Sequence, residues 1–325
     1  MSSLLSLEHL QNEEAAYAWV EAHVWPNGAV CPHCSEEKRV AKMQGKATRA
    51  GLYKCYACRK QFRVTVGTIF EKSHVAMHLW LQAFYLIAGS KKGISANQLH
   101  RTLGVTLKTA WFMGHRIREA MRSGSLYPVG GGGEPVEMDE TYFGNVAKPL
   151  KTRTDAKPFK GKPRGPANKR AVIALVQRGG ELRSFHVGTA DKFTVEAILE
   201  ENVSREAHLM TDESRLYRGV DVAKHDTVQH SADEYVRYEK GKPVITTNTV
   251  EGYFSVFKRG MKGVYQHCAE KHLHRYLAEF DFRYNHRAAL EIDDATRAAK
   301  MVIGAKGKRL TYRTTRDGAG ELDAD

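Results

Sequence analysis

Two C-x2-C pairs, Cys31-Pro-His-Cys34 and Cys55-Tyr-Ala-Cys58, stand twenty residues apart in this chain. Four thiolates in two knuckles are the ligand set of a closed tetrahedral zinc site, which fixes the path of the residues between them. The spacing predicts one structural Zn²⁺ held by Cys31, Cys34, Cys55 and Cys58, with short ribbon strands at 52–54 and 62–66. His33 is surplus once four cysteines are available, and Cys268, standing alone, reads as a small packed residue. A ribbon of this kind either staples the fold or also touches a partner through its basic rim, Lys54, Arg59, Lys60 and Arg63.

Fifty basic against 37 acidic residues in 325 give a net charge of +13. That excess points to a polyanionic partner, because neutralising phosphates drives association with nucleic acid. No run approaches 18 uncharged apolar residues, so neither a membrane span nor a membrane partner is expected. The N-terminus lacks a basic n-region, which predicts a cytoplasmic, nucleoid-associated protein in a reducing compartment. There is no G-x-S-x-G elbow and no P-loop, so serine hydrolysis and nucleotide hydrolysis find no support.

Helical periodicity covers 6–25, with Leu7, Leu10, Ala16, Trp19 and Val20 inward, and returns across 78–121. Within the second region a short helix, a turn at Gly104 and a Thr106 cap follow the grammar of a helix-turn-helix, a pattern that plain helical hairpins share. Lys108, Arg116 and Arg118 on its second helix are the candidate DNA contacts. Residues 1–125 hold 17 Lys/Arg against 8 Asp/Glu, as a DNA-facing module would. The expected divisions are 1–70 (N-terminal helix and ribbon), 71–128 (helix-turn-helix), 134–290 (catalytic domain) and 291–325 (C-terminal tail, frayed after about 305).

After the Gly130–Gly133 break, strand and helix alternate. Strands are expected at 136–143, 170–177, 182–188, 207–211 and 225–229, and helices at 193–202, 249–262 and 270–284. This order predicts an α+β or α/β domain, a mixed sheet flanked by helices. The insert 148–170 carries nine basic residues and one acid, a solvated linker or a cationic flap that grips DNA.

In the stretch 246–265 (TTNTVEGYFSVFKRGMKGVY), a helix starting near Asn248 aligns Val250, Phe254, Phe257 and Met261 on one apolar stripe. Glu251, Ser255 and Lys258 fall on another face. Two further acids, Asp139 and Asp212, sit where apolar strands run or end, and a carboxylate there is costly to desolvate without a metal or a base. Hard oxygen ligands select Mg²⁺ or Mn²⁺, and two such ions about 4 Å apart can drive phosphodiester cleavage. Glu140 and Glu213 neighbour the two aspartates, and only one of each pair can face the metals. Lys258 reads as a phosphate contact or a solvated lysine, Asn248 as a helix cap or a residue near the metal edge.

These motifs together resemble the DDE transposases of bacterial insertion sequences that carry an N-terminal zinc ribbon, the ISXO-like group. The resemblance rests on the four cysteines, 138–142 (MDETY), 211–214 (TDES), 248–259 (NTVEGYFSVFKR) and 280–285 (FDFRYN), and spans about 15–290. It implies a ribonuclease H-like catalytic domain behind the ribbon and the helix-turn-helix. It further implies Asp139, Asp212 and Glu251 as the metal triad for two Mg²⁺ or Mn²⁺ ions, with Lys258 and Arg259 near DNA. The activity implied is end cleavage and strand transfer on double-stranded DNA, by a homodimer or higher oligomer. A metal nuclease that does not join ends, or an inactive DNA-binding descendant, are the alternatives.

Overall fold

The computed structural model describes residues 6–45, 47–122, 124, 127–147, 168–241 and 243–311. The chain forms two compact units: Met1–Gly89 with Ser95–Met121 and Asp294–Asp325, and Ser90–Ile94 with Arg122–Asp293. The insert 148–170 lies outside the described residues except for its last three. No helix among the described residues is long and apolar enough to cross a membrane.

In the first unit the helix expected at 6–25 is interrupted. A 3-10 turn at Glu8–Leu10 precedes α1, Glu13–Val24, because the Asn12 side-chain oxygen Oδ1 accepts from the N–H groups of Glu14 (2.8 Å) and Ala15 (3.1 Å) and so starts the helix there. Strands β1 (Val40–Lys42), β2 (Tyr53–Cys55) and β3 (Gln61–Phe62) make an antiparallel ribbon. Three helices follow, α2 (Met77–Ala88), α3 (Ala96–Leu103) and α4 (Leu107–Met121). Ser95 caps α3, and Gly104 ends it in the left-handed region at φ +67°, where a glycine carries no Cβ penalty.

The segment expected as a C-terminal tail, 291–325, begins with the last helix, α8 (Asp294–Ile303), which packs on α1, α2 and α4. Ala298, Met301 and Val302 are fully buried at i, i+3 and i+4. Arg297, also buried, donates to the Ala88 carbonyl (2.8 Å) at the end of α2, the pole of that helix where a cation is favoured. The end of the chain therefore closes the core of its first unit. Met301→Ala should destabilise that unit by about 2–5 kcal/mol, read as a loss of denaturant midpoint, where a frayed tail would show no change.

The second unit is built on a five-stranded sheet of order β6-β5-β4-β7-β8. Strands β4 (Pro135–Asn145), β5 (Lys169–Gln177) and β6 (Leu182–Val187) form an antiparallel meander around the turn at Gly179, φ +73°. Helix α5 (Lys192–Asn202) then carries the chain to the other side of β4, where β7 (His208–Asp212) and β8 (Lys224–Val228) run parallel to it. A small antiparallel pair, β9 (Val236–Arg237) and β10 (Ile245–Thr246), leads into α6 (Asn248–Gly260) and α7 (Leu273–Asn285). A central first strand, with an antiparallel meander on one side and two parallel strands on the other, is the ribonuclease H-like arrangement.

Strand alternation assigns the helices to faces. Val136, Met138, Ile173 and Leu175 pack with Val195, Ile198 and Leu199 of α5. Val172, Ala174 and Val176 point the other way, onto Val250, Phe254, Phe257 and Leu277 of α6 and α7. The apolar stripe predicted for α6 is buried at all four positions, with Met261 opening the π-helical turn Met261–Tyr265.

Candidate functional site

The ribbon brings its four cysteines together. The sulfurs of Cys31 and Cys58 lie 3.7 Å apart, those of Cys34 and Cys55 3.6 Å, and all four fall within 4.8 Å of one another. A tetrahedron with Zn–S of about 2.3 Å has edges of about 3.8 Å, so the thiols fit a structural zinc ion. The backbone N–H of Cys58 donates to the Cys55 sulfur and, as the largest influence, brings that thiol down to about 7. His33 is exposed, as its surplus status requires. The ribbon core around the cysteines is small, with Phe62 buried and Trp25 and Tyr53 partly buried against it. Elemental analysis should therefore give one zinc per chain. Chelation, or Cys55→Ser, should loosen β1–β3 and be seen in Trp25 fluorescence.

In the second unit, Glu137 and Asp139 of β4 face α6, opposite to Val136 and Met138. The parallel register sets Glu137 beside Met210 of β7. Carried two residues further, the same register sets Asp139 beside Asp212, with both carboxylates on the α6 face. Glu251 lies in the first turn of α6. Burial pushes the Asp139 carboxyl up to about 8, reinforced by the neighbouring charges of Glu140, Asp212 and Glu251.

Alternation also separates the paired acids that the sequence leaves open. Glu140 points to the α5 face and accepts a hydrogen bond from the Tyr217 hydroxyl. Glu213 is exposed and accepts from the Ser231 N–H (3.1 Å) and hydroxyl (2.8 Å). Asp212 accepts from the Ser214 N–H at 3.0 Å in a local turn, which leaves its second oxygen to the site. Glu251 accepts from the Thr247 hydroxyl at 2.9 Å, and His230 Nε2 stands 3.5 Å from it. None of the three carboxylates is held by an arginine in the described ion pairs. Among the described residues, the four cysteines are the one group of three or more His, Cys, Asp or Glu side chains that lie close enough to share a single ion.

The expected DNA contacts separate into two groups. Lys108 is exposed on the first turn of α4, the end that a recognition helix presents, and Arg259 is exposed on α6 with Lys258 half-buried beside it. Arg116 and Arg118, however, are each 5% exposed. The Arg116 guanidinium donates to the carbonyls of Ile69 (2.7 Å) and Leu310 (3.1 Å) and stacks on Phe112, while that of Arg118 lies over Gly114. Both are core residues of the helical unit and have no face for a phosphate. Asn248 does not cap α6, and Thr247 makes no capping bond either. The cap comes from Glu137, whose carboxylate accepts from the N–H groups of Thr249 (2.8 Å) and Val250 (3.1 Å).

A model of the ISXO2-like transposase domain matches residues 131–285, and one of the transposase zinc-ribbon domain matches 11–61. Together they take in more than half of the chain. The chain carries an ISXO2-like transposase domain behind a transposase zinc ribbon. A protein in transposable element ISH50 of Halobacterium salinarum is 27% identical over 270 residues, spanning 80% of this chain and 86% of that protein. Among solved structures, the Mos1 strand transfer complex covers 67% of this chain and 75% of its own, at 11% identity and a TM-score of 0.27. A pre-cleavage Mos1 transpososome gives 10% identity and a TM-score of 0.19 over the same shares. Both scores are too low for any argument about this chain.

Sequence reasoning missed Glu137, Arg178, Tyr217 and His230. Glu137 alone carried a signal, as a glutamate inside an apolar strand two residues before Asp139. The pH behaviour of Asp139 offers a direct check. With its carboxyl raised to about 8, the metal-free folded chain holds a proton that the unfolded chain releases near 4. That side chain thus makes the protein progressively less stable as pH rises from about 4 to about 8. Asp139→Asn should remove this slope: without divalent metal the variant should melt above wild type at pH 8, with the gap closing towards pH 4.

Proposed function

We propose that the chain is the DNA transposase of its insertion sequence, binding the element's terminal inverted repeats and carrying out metal-dependent cleavage and strand transfer. What supports this reading is that the charges of Asp212 and Glu251 both act on the buried Asp139 carboxyl, with none of the three acids held by an arginine in the described ion pairs. Two Mg²⁺ or Mn²⁺ ions held by these carboxylates would activate the attacking water or 3′-hydroxyl and stabilise the leaving oxygen. Asp139 gives up its proton on binding a cation, so metal affinity rises with pH up to about 8.

Lys258 and Arg259, both about two turns beyond Glu251 on α6, supply positive charge for the phosphates flanking the scissile bond. The exposed first turn of α4, with Lys108, enters the major groove of the element end. Two ends must be handled together, so the working form is a homodimer or larger assembly on DNA. In this reading Asp212→Asn abolishes both cleavage and joining, by at least about 1000-fold, and leaves end binding intact. The check is a gel assay with labelled ends and a pre-cut 3′-hydroxyl substrate. Near-normal joining by that variant would remove Asp212 from the mechanism. Cleavage without joining in wild type would make the chain a nuclease.

A further inference from the structure

We infer that Glu137 and Arg178 form a positioning pair that sets the three carboxylates relative to one another. The inference rests on the reading of Asp139, Asp212 and Glu251 as the metal site. The Glu137 side chain is fully buried and both of its oxygens are saturated. Oε1 accepts from Arg178 Nε (2.6 Å) and the Thr249 hydroxyl (2.8 Å), while Oε2 accepts from the N–H groups of Thr249 and Val250. The first N–H groups of a helix lack partners within the helix, and here a neighbouring strand supplies the acceptor in place of a local cap. An anion at that pole also meets the positive end of the helix dipole.

Arg178, from the turn between β5 and β6, completes the arrangement. Besides Glu137, its guanidinium donates to the carbonyls of Val244 and Thr246 (2.9 Å), on either side of Ile245 in β10, and meets the Met210 sulfur at 3.0 Å. The pair therefore touches each carboxylate-bearing element close to its carboxylate. Glu137 lies two residues before Asp139 on β4, Met210 lies two before Asp212 on β7, and Val250 lies one before Glu251 on α6. Two strands and a helix from distant parts of the chain are thereby fixed by one ion pair, its carboxylate buried and its guanidinium half-buried. A buried carboxylate is costly to desolvate, and this pair offsets that cost through a full set of directional bonds rather than through simple attraction. Both groups are taken up by these bonds, so they act through the residues they hold.

The test is Mn²⁺ binding to the full-length, zinc-loaded chain, measured by calorimetry, together with melting in the absence of Mn²⁺. Glu137→Gln and Arg178→Lys keep size or charge but break the fork, and each should raise the half-saturating Mn²⁺ concentration by about 10–100-fold. Thr249→Val removes one bond of the set and should shift binding in the same direction by less, which keeps the test intact if Glu137→Gln fails to fold. Asp281→Asn is the control. It breaks a separate buried network with Tyr253 (2.6 Å) and Ser184 (2.7 Å), and should lower melting while leaving Mn²⁺ binding unchanged. Wild-type Mn²⁺ binding by Glu137→Gln and Arg178→Lys would overturn the inference, as would an equal weakening in Asp281→Asn. If Asp139→Asn binds Mn²⁺ as well as wild type does, the metal-site reading itself falls and takes the pair's role with it.

Discussion

Strand β4 sits at the centre of its sheet, buried on both faces, and everything functional in the second unit depends on its two-residue period. Val136 and Met138 face the α5 core, so Glu137 and Asp139 must face α6. A slip of one residue would bury Asp139 among the leucines and valines of α5 and turn Met138 to the site. The register is held on both sides, by nine pairs with β5 and by parallel pairing with β7. The acids are thus carried to the site by the same apolar residues that make the core.

The basic residues are less uniform than a net charge implies. Arg116 braces carbonyls inside the helical unit, Arg297 ties the last helix to the end of α2, and Arg170 donates to the carbonyls of Asn145 (2.7 Å) and Cys268 (2.7 Å). Arg178 clamps the approach to α6. A guanidinium has five donors in a rigid fork, so it can satisfy several carbonyls that no helix or sheet reaches. The share of the +13 charge that meets a polyanion is accordingly smaller than the count. Lys108 and Arg259 are among the basic residues that stay at the surface.

The two candidate metal sites follow opposite logic. The zinc ligands come in local pairs, three residues apart within each knuckle, and their sulfurs close to tetrahedral spacing around a small aromatic core. The carboxylates come from two strands and a helix, and they are left in like-charged company that pushes Asp139 up to about 8. The first arrangement closes on one ion. The second, in the proposed function, would stay open to a cation and to phosphate.

Most of this organisation was legible in the residues. Cysteine spacing declared the ribbon, short apolar runs declared β4, β5 and β7, and the 4-3-4 spacing of Val250, Phe254, Phe257 and Met261 declared α6, because those signals are local and set by backbone geometry. Arg116 and Arg118 looked like a DNA-facing stripe because sequence reports charge and not burial, and 291–325 looked like a tail because one amphipathic turn does not say what it packs on. The partner of Glu137 lies 112 positions away in Thr249, and that of Arg178 lies 68 away in Thr246. Which acid of each neighbouring pair faces the site, and what caps the helix that carries Glu251, were decided only when distant strands paired, since buried polar groups take their partners from whatever the fold brings within reach.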